Sequence, residues 1–417
     1  MAHWFHRNPL KATSPVLFDL KGVLSSSEAS KIATEARFAR SKLLELLTDA
    51  NNTLDEVEAE YTKYMTLMHG FLFAFDEKGG DSKLRRLVKF KWTHSCLSLW
   101  PIELSDAWYE TLNMSVNMAL WYTKHAAKLA GVDEIKEATA KEVHRCLRKA
   151  AGLFEAVLRE RGRINEQSEP GGDMDERVLQ AYAMQSTAEA QEVTVARAIE
   201  LQHSPSLVSA LANETAKLFL KTENSLSALD ESVFGKWRHY LLLKHHFYLS
   251  LAYAYLGEQL LAEDKCGEAV RACRQGLQCY ETSESHCKEY AKANGPGSTV
   301  KPDRHLFFRR IRPILQRHLD KAERENGFIY HQKIPDEVPE LSINSATYGL
   351  VKPEPFEFPV DTEKWNARVY QAFDITKAAM PDFSKAKTGE KELPAPKEAP
   401  VYQSDKDASN TSGCVVS

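Results

Sequence analysis

The sequence predicts a mainly α-helical fold: an irregular array of long amphipathic helices, with a small β element near the N-terminus and a disordered C-terminal tail. Three observations lead there. Apolar residues recur at three- and four-residue spacing through most of residues 27–325, the period of helices with one buried stripe. The interruptions are caps, prolines and glycine pairs rather than strand-like alternation. Nine of the 17 prolines fall after Tyr330, where helix is largely excluded.

Taken in order, residues 3–21 contain Pro9 and Pro15 and end in the alternating Val16-Leu17-Phe18-Asp19-Leu20, which reads as extended chain or a strand. From Ser27, the positions Ile32, Ala36, Ala39, Leu43, Leu44 and Leu47 trace a helical stripe. The same period returns in 54–75, in 84–94 and in 105–130, where Trp108, Leu112, Val116, Ala119, Leu120 and Ala127 share one side. Further helices are predicted over 135–160, 175–203, 206–224, 236–263, 266–293 and 306–325. Ser204-Pro205 supplies an N-cap followed by proline at the first helical position, so one helix starts almost where another ends. Gly171-Gly172 and Gly295-Pro296-Gly297 mark exposed connections. Within 248–281, a turn at Asp264-Lys265 makes a helical hairpin resembling a tetratricopeptide repeat, with Gly257 and Ala269 small enough for close helix approach. Residues 329–360 keep aromatic and aliphatic side chains between prolines and read as an extended strap over the helical body. A short helix is predicted near 365–379. The organisation expected is one domain over 1–375, a disordered linker over 376–413, and a separate signal in 414–417.

Composition narrows the function classes. The chain has 417 residues, 43% of them hydrophobic, enough for a substantial core. With 54 Lys+Arg against 58 Asp+Glu, it lacks the basic excess of a protein that grips nucleic acid through a broad surface. Seven irregularly spaced cysteines fit reduced thiols rather than a disulfide framework. The first 20 residues hold no signal-peptide run, and no stretch reaches the 18 or so apolar residues of a membrane span, so a cytoplasmic body is expected. Phosphate-binding glycine loops, His-Glu-x-x-His and Cys-x-x-Cys are absent, so neither an enzyme nor a cofactor is predicted. Cys266 and Cys273, the pair His245-His246, and His286 beside Cys287 lack a second patterned group and read as structural.

The last four residues, Cys414-Val415-Val416-Ser417, fit a Cys-aliphatic-aliphatic-X prenylation signal, with the terminal serine pointing to farnesyl. A single lipid is a weak anchor. The preceding residues 381–417 carry five lysines against six acids, so no polybasic patch supplies a second one. Membrane contact is therefore expected to be peripheral, with a protein partner on the membrane supplying the second contact or the attachment being transient.

Six short motifs in the same order carry a family likeness. They are Phe90-Lys91-Trp92; the helix 110–130 with Asn113 and Asn117; Ala150-Ala151-Gly152-Leu153-Phe154; Ala190-Gln191-Glu192-Val193; Lys265-Cys266-Gly267-Glu268-Ala269; and Glu325-Asn326-Gly327-Phe328-Ile329-Tyr330-His331. Together they resemble the BRO-domain family, whose best-known member is Alix. The resemblance implies a boomerang-shaped helical solenoid acting as a non-enzymatic adaptor. Its concave face would hold the C-terminal amphipathic helices of ESCRT-III subunits, the charged multivesicular body proteins, on endosomal and by analogy nuclear-envelope membranes. Carried over position by position, the apolar patch falls on Leu207 and Leu211, a third contact on Thr194, and the charged rim on Glu137, Lys141 and Arg145. Family members often have an aromatic where Thr194 stands. Tyr348 in the strap is a further candidate contact, and Cys414 the lipidation site. The alternatives are a prenylated helical-repeat peptide-binding scaffold with partners outside ESCRT-III and a prenylated enzyme whose site carries no recognisable motif.

Overall fold

The computed structural model describes residues 3–402, apart from 76–79, 98, 133–134, 165–168, 299–301, 303–305, 342–348, 361–362, 379–386 and 390. Two helices, α1 (Ser27–Leu47) and α2 (Leu54–Leu72), pair near the N-terminus. Strands β1 (Phe90–Trp92) and β2 (Ile102–Leu104) then form an antiparallel ladder. A run of long helices follows: α3 (Ala107–Ala130), α4 (Glu137–Glu160), α5 (Glu176–Glu200), α6 (Pro205–Leu226), α7 (Glu231–Ala262) and α8 (Cys266–Lys292). Each packs on its successor, which makes the body a solenoid. The short α9 (Leu306–Arg309) leads into α10 (Ile311–Glu325), which lies on α8 and α7. Near the C-terminal end, α11 (Ala367–Gln371) touches α1, and β3 (Lys387–Thr388) adds to β2.

The helices start where side chains can take up their free N–H groups. Ser26, Thr53, Asp106, Asp175, Ser204, Asp230 and Asn366 each accept a hydrogen bond from a first-turn amide, and Pro205 occupies the first turn of α6. The helix expected over 84–94 needs correction. Residues 84–94 are turns followed by β1, because Arg85 and Trp92 are fixed by tertiary partners, Asp106 and Glu110, rather than by a helical period. Of the two forms expected for residues 16–20, extended chain or a strand, the strand does not form. The β element is assembled from β1, β2 and the distant β3, and the N-terminal segment meets it at a Thr13–Trp92 bridge and through Thr13 Oγ1, which donates to Lys91 O at 2.7 Å.

The N-terminal segment is threaded through the interior. Trp4 and Phe5 are fully buried. The Lys11 backbone exchanges hydrogen bonds with the Asn117 side chain (2.9 and 3.1 Å), and its ammonium reaches Asn113 and, at 3.1 Å, Asp173. Arg7 pairs with Glu189 of α5 at 2.7 Å. On α3, Glu110 receives Arg40, Tyr64 and Trp92. Such groups are tolerated in the interior because each charge meets an opposite charge or a dipole.

Several of the sequence motifs mark places where a distant segment lies on a helix. Gly152 leaves room for the strap, since a Cβ there would sit 1.6 Å from the Glu354 carbonyl oxygen. Gln191 takes the strap backbone with both ends of its amide, from Val351 N–H (2.7 Å) and to Gly349 O (2.9 Å). Asn326 does the same for Gln332, whose side chain in turn accepts from Gly267 N–H at 3.0 Å. Gly257 packs against Cys273 and Ala269, as the predicted hairpin requires.

Among the described residues of the C-terminal segment, 391–402 depart from the expected disorder. Residues 391–402 lie along the body: Ala399 N–H bonds Thr48 O (2.8 Å), Glu398 accepts from Leu10 N–H (2.7 Å) and pairs with Lys124, and Tyr402 is 8% exposed. Composition missed this because a few anchoring side chains, not average hydrophobicity, hold the segment.

Candidate functional site

Between α4, the C-terminal half of α5 and the start of α6 lies an open cleft of about 750 Å³. Its apolar wall comes from Ile135, Ala140, Val193, Ala198, Leu201 and Leu207. The helix ends explain the exposed apolar lip. Chain reversal at Leu201–Ser204 lets α6 begin directly at Pro205, leaving Leu201 52% exposed beside Leu207. The strap closes the far side at Gly349 and Glu354, held by Gln191 and by Glu354 N–H to Arg148 O at 3.0 Å.

Charged side chains surround this wall. Lys141 pairs with Glu137 at 3.0 Å across one helical turn, and Arg197 reaches Glu200 at 2.8 Å and Glu137 at 3.8 Å. Hydrogen bonding from Lys141 holds the Glu137 carboxyl below its ordinary range. Arg145 is exposed on the same helix face as Lys141 and makes no ion pair among the described residues. Exposed pairs of this kind contribute little to stability and exchange readily for charges on a partner.

Glu137, Lys141, Arg145, Thr194, Leu207 and Leu211 all line this cleft, although they come from three helices. Their access differs. Leu207 is half-buried with its face open, whereas Leu211 forms the floor at 2% exposure with Gly349 lying against it. Tyr348 and Cys414 lie outside the described residues. Sequence reasoning missed Leu201, Ala198 and Val193 on the wall, and His144, Arg148 and Arg197 on the rim. The sequence placed Leu201 inside a helix over 175–203, whereas the structure ends α5 at Glu200 and leaves Leu201 on the lip; the rim needs the packing of α4 on α5.

The other candidates resolve as packing. Cys96, Cys146, Cys266, Cys273, Cys279 and Cys287 are buried free thiols, with burial pushing Cys96 up to about 12. His246 stacks on His286 between α7 and α8, and desolvation lowers its pKa to about 4. Among the described residues, no group of side chains has the arrangement of a metal site, and no helix is long and apolar enough to cross a membrane.

The solenoid, its internal N-terminal segment and the strapped cleft define a class. Residues 8–383 match the BRO1-like domain family, and the chain belongs to that family. Its similarity extends to particular members. It is 50% identical over 427 residues to the "BRO1 domain-containing protein BROX homolog" of Caenorhabditis elegans, covering 100% of both chains. It is 47% identical to the "BRO1 domain-containing protein BROX" of Homo sapiens, covering 92% of this chain and 93% of that one. Among solved structures, "Structure basis for endosomal targeting by the Bro1 domain" matches with a TM-score of 0.63 at 22% identity, covering 90% of this chain and 98% of that one. "ALIX BRO1 CHMP4C complex" matches with a TM-score of 0.63 at 20% identity, covering 87% and 99%. The fold is thus the boomerang-shaped solenoid of BRO1 domains.

Proposed function

We propose that this chain is a non-enzymatic adaptor whose α4/α5/α6 cleft takes the C-terminal amphipathic helix of an ESCRT-III subunit, a charged multivesicular body protein. The observation that carries the reading is the cleft itself: an exposed leucine lip bordered by solvated, exchangeable ion pairs. A helix with apolar residues at i, i+3, i+4 and i+7 would set them against Leu201 and Leu207, and its acidic residues would meet Arg145 and Lys141. The complex named for ALIX supports the partner class. In this reading Tyr348 flanks the groove, and Thr194, smaller than an aromatic, leaves one end more open. Farnesyl at Cys414 gives a weak, peripheral attachment to membranes, with the endosome as the site of action.

The burial of Leu211 selects the test. A carboxylate at Leu211 would disrupt the floor, so Leu207→Asp is the informative variant. A fluorescent ESCRT-III tail peptide should bind it at least roughly tenfold more weakly than wild type, because docking would desolvate an unpaired charge. Equal affinity, with unchanged circular dichroism, removes the groove assignment. For the lipid, Cys414→Ser should move the protein from membrane to soluble fractions, and an unaltered distribution and mass would refute prenylation.

A further inference from the structure

The C-terminal segment approaches the cleft from an unexpected direction. The Tyr402 hydroxyl accepts from Phe5 N–H (2.8 Å) and donates to Phe5 O (3.2 Å), and its ring stacks on Trp4 at 6.4 Å. Tyr402 also sits against Gly131, 3.4 Å from where a Cβ there would be. The chain is therefore pinned at the end of α3, beside His3, whose N–H bonds Ala130 O at 2.9 Å. His3 lines a second cavity, of about 230 Å³, between α4 and α5. Five wall residues, Ile135, Ala140, Val193, Arg197 and Glu200, belong to both this cavity and the cleft, so the two adjoin across shared walls.

Cys414 lies 12 residues beyond Tyr402. Twelve residues span at most about 40 Å. The second cavity, reached through Phe5 and His3, falls well inside that radius. Charge also agrees: residues 403–413 carry Asp405 and Asp407 against Lys406, and the exposed Arg310 stands at the cavity mouth.

We propose that the farnesyl group on Cys414 docks into the α4/α5 cavity of its own chain and extends along the walls shared with the cleft, so that lipid and partner helix exclude each other. This rests on the reading of Cys414 as the lipidation site and of the cleft as a helix groove. A tether of this length holds the lipid at an effective concentration on the order of millimolar. In solution the lipid is sheltered and the groove occupied. A partner helix displaces the lipid to the membrane, and by linkage a membrane that takes the lipid strengthens helix binding equally.

The test uses the full chain with and without the lipid. Farnesyl is installed by alkylation with farnesyl bromide, the Cys414 thiolate displacing bromide. The other six cysteines are buried, and Cys414→Ser reports any stray reaction. Ala196 lines the second cavity but not the cleft, so Ala196→Trp should fill the lipid seat and spare the groove. The farnesylated wild type is expected to bind tail peptide roughly tenfold more weakly than the unmodified chain, with Ala196→Trp restoring full affinity. Independently of any peptide, Ala196→Trp should raise partition of the farnesylated chain into phosphatidylcholine vesicles about tenfold. Unchanged vesicle partition overturns self-docking even if the peptide fails to bind. Equal peptide affinity with and without the lipid overturns competition. Failure of the unmodified chain to bind the peptide instead refutes the groove reading, leaving vesicle partition to decide self-docking.

Discussion

On one side of α5, Glu189 and Glu192 are fully buried and pair with Arg7 of the N-terminal segment and Lys244 of α7, each at 2.7 Å. On its other side, Thr194, Arg197 and Leu201 look into a cleft whose ion pairs are solvated. One helix thus carries charges that cannot leave and charges that exchange freely. Desolvation pushes Glu192 up to about 7 and lowers Lys244, so the buried pair is held by mutual dependence rather than by net gain. The contrast shows how a solenoid keeps an open groove without losing definition: the buried pairs fix the position of α5, which leaves its other face free for binding.

The contrast breaks most visibly at Glu189. Glu189→Ala strands Arg7 in the interior and should cost about 3–5 kcal/mol in chemical denaturation. A loss below about 1 kcal/mol would mean that water reaches this core and that the two faces are alike. Leucine truncation sharpens the comparison within the cleft. Leu211→Ala, at the buried floor, should cost about 2–5 kcal/mol, whereas Leu207→Ala on the open wall should cost about 1 kcal/mol and act mainly on peptide affinity. Similar losses at both positions would place Leu207 in the core. The smallest effect is expected at Lys141, whose side chain is 76% exposed. Lys141→Ala should shift stability by less than about 0.5 kcal/mol and reduce the salt dependence of peptide association.

Helical periodicity, caps and Pro205 were sufficient to place α1, α2 and α3 to α8 in the sequence, because those signals are local. The BRO-type motifs were legible as well, and the structure gives several of them a physical role: Asn117, Gly152, Gln191 and Asn326 each receive a segment from elsewhere in the chain. The misreadings share a cause. Residues 84–94 have an apolar spacing compatible with helix, yet Asp106 and Glu110 hold Arg85 and Trp92 in a turn and a strand. Residues 391–402 have the composition of a free tail, yet Glu398 and Tyr402 tie them to Leu10, Lys124 and Phe5.

By itself the sequence determined the helical period, the positions of the breaks, the terminal Cys-Val-Val-Ser and which residues carry the family likeness, all properties of neighbouring residues. Tertiary structure decided which of two leucines four residues apart is open and which is floor. The helix period puts Leu207 and Leu211 on the same face, but the distant Gly349 covers one of them. It also decided that residues 391–402 lie on the body, since Glu398 and Tyr402 bond Leu10, Lys124 and Phe5, the last of them 397 residues from Tyr402.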